Sequence, residues 1–151
     1  MAHKIYEKPL RIHFSNCDPA GIVFHPQYFV ILNELMEDFL EDIAGVGFIE
    51  INRYGVGFPV VSVKTQFTKP SRPSDRLTGK IWIEKIGTSS IRFAFKVHDE
   101  EVERLRAIET SVCVKRGPDG EFVPSEIPAE IRAALEPYVI ESESEALQIR
   151  A

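Results

Sequence analysis

The sequence contains few of the features that mark membrane, disulfide-rich or nucleic-acid-binding proteins. Its two cysteines, Cys17 and Cys113, do not form a C-x-x-C pair, so their spacing predicts neither a disulfide framework nor a zinc site. No uninterrupted apolar run approaches the ~18 residues that a membrane span requires, and the first residues lack the apolar core of a signal peptide. The net charge of −5 gives no basic surplus for nucleic acid. We therefore expect a cytoplasmic protein with no membrane span and no nucleic-acid partner.

What the chain does contain is typical of a globular domain. Hydrophobic residues make up 44% and charged residues 27% of its 151 residues, which is close to the balance of ordinary folded proteins. Domains of about 100–150 residues are common, so we expect a single domain over residues 1–151. The polar stretch at about 141–151, ESESEALQIRA, is expected to fray.

Five segments read as strands because they are rich in β-branched and aromatic residues. They are residues 9–14, 60–67, 76–86, 90–97 and 106–115. The connections between the last four are short, which favours an antiparallel meander, because parallel strands need crossovers of a dozen or more residues. Alternation predicts apolar faces made of Leu10, Ile12 and Phe14, of Ile91, Phe93, Phe95 and Val97, and of Ile108, Thr110, Val112 and Val114.

A long helix is predicted between the first strand and the other four. Pro26 suits its first turn, apolar residues recur at helical spacing from Tyr28 to Ile43, and Gly45 suits its end. A second, short helix is predicted near 128–138. Neither a sheet nor a helix buries its apolar face alone. We therefore predict an α+β fold, in which a five-stranded antiparallel sheet wraps around a long central helix, with a short C-terminal helix.

The segment CDPAGIVFHPQY, from Cys17 to Tyr28, places Asp18 in a loop directly before the long helix. One interpretation is that Asp18 stabilises a turn, since Asp is common in such loops. The other is that its carboxylate acts as a nucleophile or as a general base for water. Backbone N–H groups at the start of a helix, aided by the helix dipole, suit the oxyanion that thioester hydrolysis develops. Gly21 lets the loop bend sharply and lets a substrate approach the backbone.

This segment resembles the hotdog-fold acyl-CoA thioesterases of the 4-hydroxybenzoyl-CoA thioesterase group, and the resemblance covers nearly the whole chain. The segments FTKPSRPSDRL and KIGTSSIRF also look like strand-to-strand segments of that family. The resemblance implies a hotdog fold and hydrolysis of a short-chain or aryl acyl-CoA. It implies catalysis by Asp18, with the backbone N–H of His25 on the thioester carbonyl. It implies no metal or redox cofactor, coenzyme A being part of the substrate.

The resemblance also implies residues for the two ends of the substrate. Tyr28 and Asn33 are candidates for the acyl pocket, and Arg72, Ser89 and Ser90 for the coenzyme A end. Three cations, Lys69, Arg72 and Arg76, either bind the phosphates of coenzyme A or belong to a solvated turn. Family members acting on hydroxybenzoyl groups hold the ring hydroxyl with an acid where this chain has Asn33, which weakens the case for 4-hydroxybenzoyl-CoA itself.

Other interpretations of these residues stay open. Cys17 is a rival nucleophile, although a reactive thiolate needs a positive neighbourhood, and Glu37 is a second choice for the catalytic acid. His13 and His25 flank Asp18 without a recognised metal-ligand spacing. A hotdog enoyl-CoA hydratase or dehydratase using His25 with Asp18, or a non-catalytic acyl-CoA-binding protein, are the competing functions. An exposed sheet edge is a pairing site, so we also expect a homodimer or homotetramer.

Overall fold

The computed structural model describes residues 3–100 and 102–140, and the predicted frayed tail lies outside these residues. The helices are α1 (His25–Ala44), α2 (Phe48–Ile51) and α3 (Ala129–Leu135). The strands are β1 (Tyr6–Arg11), β2 (Val60–Phe67), β3 (Arg76–Ile86), β4 (Ser90–Asp99), β5 (Val102–Val112), β6 (Val114–Arg116) and β7 (Phe122–Pro124). The predicted fold class, a five-stranded sheet around a long helix with a short C-terminal helix, is confirmed.

The main sheet has the strand order β1-β3-β4-β5-β2, and every neighbouring pair is antiparallel. The predicted meander is correct for β3, β4 and β5 and wrong for β2, which pairs with β5 at an edge of the sheet. Residues 68–75 carry the chain from that edge to β3. Eight extended residues reach about 26 Å, whereas three strand spacings measure about 14 Å. A short connection therefore does not force its two strands to be neighbours.

Helix α1 packs its apolar residues against the concave face of the sheet. Gly45 ends the helix in the left-handed conformation, with φ of 66° and its N–H bonded to the Glu41 carbonyl at 2.9 Å. The buried residues are Tyr28, Ile31, Leu32, Leu35, Met36, Phe39 and Leu40, which confirms the predicted stripe. Gly79 of β3 permits the close approach, because a Cβ there would lie 2.7 Å from Leu35 Cδ2 and 2.8 Å from Leu10 Cδ1.

The first strand is shorter at its C-terminal end than predicted. It ends at Arg11, and Phe14 begins a 3-10 turn in which its side chain is 85% exposed, so the prediction that Phe14 shares the buried face of Ile12 is wrong. The reason is local: the side-chain oxygen of Asn16 accepts the His13 N–H at 2.9 Å. This Asn side chain competes with strand hydrogen bonding and favours the turn.

The last long strand faces the helix with the opposite set of residues from the one predicted. Leu105, Ala107, Ser111 and Cys113 are buried, while the residues of the predicted face, Ile108, Thr110, Val112 and Val114, are half-buried on the other side of the sheet. The predicted period of two is correct, but both faces of the strand are sufficiently apolar to fit the core. The inward face also carries Glu109, in register with Phe93 of β4 and Val63 of β2.

Candidate active site

Asp18 forms the first residue of a tight turn. The Gly21 N–H donates to the Asp18 carbonyl at 2.9 Å, and the Ala20 N–H donates to Asp18 Oδ1 at 2.8 Å. Asp, Pro and Gly occupy the first, second and fourth positions, as the commonest β-turn prefers, and Gly21 has a φ of 79°. Oδ2 of Asp18 makes no hydrogen bond with any described residue. The turn interpretation of Asp18 is therefore correct, and one carboxylate oxygen is left over.

The loop that carries Asp18 is tied to the start of α1. The Phe24 N–H donates to the Asn16 carbonyl, and the Asp18 N–H donates to the Ile22 carbonyl, both at 3.0 Å. The side-chain amide of Asn16 donates to Gln27 Oε1 at 3.3 Å, which reaches the first turn of the helix. These bonds give the Asp18 turn a defined position relative to the N-terminus of α1.

The N-terminus of α1 presents a free donor. Pro26 has no N–H, and the Gln27 N–H is bonded to the Phe24 carbonyl at 2.8 Å. The His25 N–H has no hydrogen-bond partner among residues 3–100 and 102–140. A helix N-terminus carries a partial positive charge and attracts anions. The His25 N–H is therefore available as a main-chain donor, and its role on a developing oxyanion, which the resemblance implies, stays a prediction.

Aromatic rings surround this helix start. The ring of Phe67, at the end of β2, lies 5.5 Å from that of Tyr28 and 6.5 Å from that of His25, measured between centroids. Tyr28 is 5% exposed and belongs to the core, whereas Phe67 is 47% exposed. Tyr28 therefore supports this apolar surface from beneath, and Phe67, which the sequence argument did not select, forms its outer part.

The cation-bearing segment between β2 and β3 adjoins the Asp18 loop. The Val23 N–H of that loop donates to the Ser71 carbonyl at 2.9 Å. Arg104 of β5, whose side chain is 14% exposed, holds the segment through Nη1, which lies 3.0 Å from Asp75 Oδ2 and 3.3 Å from Ser71 Oγ. Arg72 is exposed on this segment. The structure therefore places Arg72 beside the loop of Asp18.

Ser89 and Ser90 lie at the other end of the sheet. They follow β3, whose length from Arg76 to Ile86 is about 33 Å at about 3.3 Å per residue. The Ser89 carbonyl accepts the Cys113 N–H at 2.7 Å, far from the Asp18 loop. Within one protomer the structure does not bring Ser89 and Ser90 together with Asp18.

A cavity with an open mouth lies between α1 and the sheet. Its lining is mostly apolar, with three polar side chains, and comprises Asn33, Met36, Leu40, Phe48, Phe58, Val60, Ile91, Phe93, Glu109, Ser111, Ile131 and Leu135. Asn33, a predicted acyl-pocket residue, is exposed and marks the mouth, whereas Ile91 and Leu135 are buried at the bottom. The mostly apolar lining with a few polar groups is typical of a small-molecule pocket.

Glu109 is a residue of this cavity that sequence reasoning missed. It is half-buried, and burial raises the pKa of its carboxyl above the ordinary 4.5. It forms no ion pair or hydrogen bond with the described part of the chain. Its position in the sequence could have indicated it, because Glu109 lies between Ala107 and Ser111 on the inward face of β5, where an apolar residue would be expected.

The geometry does not favour Cys17 as the nucleophile, Glu37 as the catalytic acid or a metal site. Burial, followed by the charges of Asp18 and Asp75, raises the pKa of the Cys17 thiol, which disfavours the reactive thiolate. Glu37 is half-buried and does not line the cavity. Among the residues that the structure describes, no three His, Cys, Asp or Glu side chains form a group that could hold a metal ion.

No helix within the described ranges combines the length and the apolar character that crossing a bilayer requires.

Comparison with known proteins adds a family model and a curated relative. The model of the thioesterase-like superfamily matches residues 12–135. The 1,4-dihydroxy-2-naphthoyl-CoA hydrolase of Thermosynechococcus vestitus is 26% identical over 128 residues, which cover 83% of this chain and 87% of the relative.

Two solved structures share the fold. The gentisyl-coenzyme A thioesterase has a TM-score of 0.72 and 25% identity, and the match covers 85% of this chain and 99% of that one. The Dynemicin thioesterase, described in a study of polyene binding, has a TM-score of 0.82 and 20% identity, with coverage of 92% and 100%.

Proposed function

The chain belongs to the thioesterase-like superfamily, and on that premise we propose that it hydrolyses an aryl acyl-CoA to the free acid and CoA. The observation that carries the proposal is the unpaired N–H of His25 at the start of α1, beside a turn whose Asp18 keeps one free carboxylate oxygen. Such a pair supplies the two groups that thioester hydrolysis needs, a base or nucleophile and an oxyanion donor.

The proposed chemistry assigns one role to each group. Asp18 Oδ2 either takes a proton from the attacking water or attacks the acyl carbon itself. In both cases the carbonyl oxygen gains negative charge, which the N–H of His25 and the dipole of α1 stabilise. The C–S bond then breaks and CoA leaves as a thiolate. Where Asp18 is the nucleophile, water then hydrolyses the anhydride that it has formed with the acyl group, which releases the acid and restores the carboxylate. In both cases the thiolate takes up the proton released by water.

The acyl group is proposed to be aryl rather than short-chain. The curated relative and the gentisyl-coenzyme A thioesterase are both named for aryl-CoA substrates. The apolar surface of Phe67 and Tyr28 beside His25 suits a flat ring. Arg72, on the segment beside the Asp18 loop, is proposed to contact a phosphate of coenzyme A.

A second copy of the chain would complete the coenzyme A end. Strand β2 is one of the two edge strands of the sheet, with Val61 60% exposed and Val63 42% exposed, and an apolar edge favours pairing. Two β2 strands related by a two-fold axis run antiparallel, so the Phe67 end of one meets the Val60 end of the other. Three strand spacings, about 14 Å, then separate Phe67 from the partner's Ser90. We therefore propose a homodimer in which the partner's turn lies near each Asp18.

The pairing is testable at Val61, which lies at a bulge outside the register with β5. Proline is tolerated at such a position within the protomer but cannot donate to a new ladder. We expect Val61→Pro to be monomeric in sedimentation velocity and to lose most activity, while Val61→Ala stays oligomeric and active. A Val61→Pro protein that stays dimeric and fully active would show that β2 does not form the interface.

The activity itself is tested by thiol release from a panel comprising acetyl-, decanoyl-, benzoyl- and 2-naphthoyl-CoA. We expect release from the aryl thioesters. Loss of enoyl absorbance from crotonyl-CoA without free thiol would favour the hydratase instead. Tight binding of acyl-CoA with no thiol released from any member of the panel would identify a binding protein and contradict the proposal.

A further inference from the structure

Three polar side chains converge on the otherwise apolar cavity beneath α1. Asn33 comes from the helix, and Glu109 and Ser111 come from the inward face of β5. None of the three side chains makes a hydrogen bond with a described residue. An apolar pocket with a few converging polar groups is the usual form of a site that binds and orients a small molecule.

Glu109 is the most informative of the three. It stands in register between Phe93 and Val63, in a row whose neighbours Ala107 and Ser111 are buried. A carboxyl without a protein partner is unfavourable at such a position, and an apolar residue of similar size would avoid that cost. Burial raises the pKa of Glu109, which favours the neutral form, and a neutral carboxyl both donates and accepts hydrogen bonds.

The cavity lies at a defined distance from the proposed oxyanion donor. Residues four apart share a helix face, so His25, Phe29 and Asn33 form one row along α1. Asn33 is eight residues beyond His25, which is about 12 Å at about 1.5 Å per residue. Phe29 and Asn33 are exposed, whereas the bottom of the cavity at Leu135 is buried. An acyl group held at His25 can therefore extend along this face and enter the cavity.

We propose that the cavity receives the distal part of the acyl group, and that Glu109, with Asn33 and Ser111, hydrogen-bonds a hydroxyl or carbonyl that this part carries. The inference rests on the proposed function and narrows its substrate class. The substrate is an aryl acyl-CoA that is longer than a single ring and polar at the end remote from the thioester. A plain benzoyl group is shorter than the about 12 Å that separate His25 from Asn33 at the mouth of the cavity.

The test compares two thioesters that differ by one distal hydroxyl, 6-hydroxy-2-naphthoyl-CoA and 2-naphthoyl-CoA. We expect wild-type kcat/KM to favour the hydroxylated thioester by about tenfold, the effect of one net hydrogen bond in a pocket. Glu109→Leu is expected to abolish that preference, so that its kcat/KM is the same for the two thioesters. Glu109→Gln, which still donates and accepts, is expected to keep part of it. Glu84→Gln is the matched control, since Glu84 lies on β3 outside the cavity lining.

The outcomes separate this inference from the proposed function. Equal kcat/KM for both thioesters, or a Glu109→Leu effect that is the same for both, would overturn the role of Glu109 while leaving the thioesterase in place. If no thioester is hydrolysed, calorimetry with 6-hydroxy-2-naphthoic acid and 2-naphthoic acid still tests the cavity. Tighter binding of the hydroxy acid that Glu109→Leu removes would support the site, and equal binding of the two acids would overturn it.

Discussion

Replacing Asp18 by Asn separates the two roles that the structure allows this residue. Its Oδ1 accepts the Ala20 N–H at 2.8 Å and stabilises the turn. An Asn side chain retains that acceptor, but it cannot serve as a base or as an anionic nucleophile. Asp18→Ala removes the acceptor and the carboxylate together. Both variants therefore lose the catalytic carboxylate, but only Asp18→Ala loses the hydrogen bond that stabilises the turn.

The expected magnitudes follow from this geometry. Asp18→Asn should leave the melting temperature unchanged. Asp18→Ala loses one side-chain hydrogen bond, worth about 0.5–1.5 kcal/mol. Each kcal/mol shifts the melting temperature of a chain of this size by about 2–4 °C, so we expect a fall of roughly 1–6 °C. Removing a general base costs about 10²–10⁴ in rate, so kcat should fall by that factor in both variants.

The assays are thermal unfolding followed by circular dichroism and steady-state thiol release from an aryl acyl-CoA. Asp119 offers a matched control, because its side chain likewise accepts a backbone N–H two residues on, that of Glu121 at 3.4 Å, within the turn Pro118-Asp119-Gly120. Asp119→Asn should change neither stability nor kcat. If Asp18→Asn keeps kcat within a factor of three of wild type, Asp18 is a turn residue only, and the proposed catalytic role is refuted.

Three further predictions concern the cavity, the core and the coenzyme A end. Burial raises the pKa of Glu109, so the contribution of this residue to the free energy of unfolding falls as pH rises above about 4.5. The free energy of unfolding of Glu109→Gln, measured in urea, should therefore increase relative to that of wild type as pH rises above about 4.5, and a pH-independent difference would contradict this. Gly79→Ala forces a Cβ against Leu35 and Leu10, so it should lower the free energy of unfolding by about 1–3 kcal/mol. Urea unfolding measures this change, and an unchanged midpoint would argue against tight packing at this position. Arg72→Gln should raise KM for acyl-CoA about two- to fivefold, which is the effect of losing one exposed ion pair. It should leave KM unchanged for the corresponding N-acetylcysteamine thioester, because that substrate has no phosphates. Equal changes in the two KM values would rule out a phosphate contact.

The parts of the fold that local physics determines were predictable from sequence. Helix α1 has both a Pro-bearing start and a Gly45 end, and β2 and β3 occupy the predicted residues 60–67 and 76–86. Phe14 was misplaced because a hydrogen bond from His13 to the Asn16 side chain ends the strand early. Such a bond leaves no mark in the alternation of apolar residues.

The position of each strand in the sheet was not predictable in the same way. The eight residues between β2 and β3 fit either neighbouring strands or the crossover that occurs, and this choice decides whether β2 lies beside β3 or beside β5. For the site, the motif located the Asp18 turn and the free N–H of His25. Glu109 could not be predicted as a cavity residue, because both faces of β5 carry apolar residues. Only the pairing with β4 shows which of the two faces contacts α1.

The contact of Arg104 with the segment before β3 has a consequence for transferring this site to other scaffolds. The Asp18 loop bonds to Ser71, and Ser71 is held by a guanidinium on a strand much later in the chain. Grafting residues 16–24 onto another protein would reproduce the turn, because its conformation is determined locally by its Asp, Pro and Gly. The graft would not reproduce the loop's location, so a transplant that omits the arginine and its acidic partner is expected to fold its turn in the wrong place.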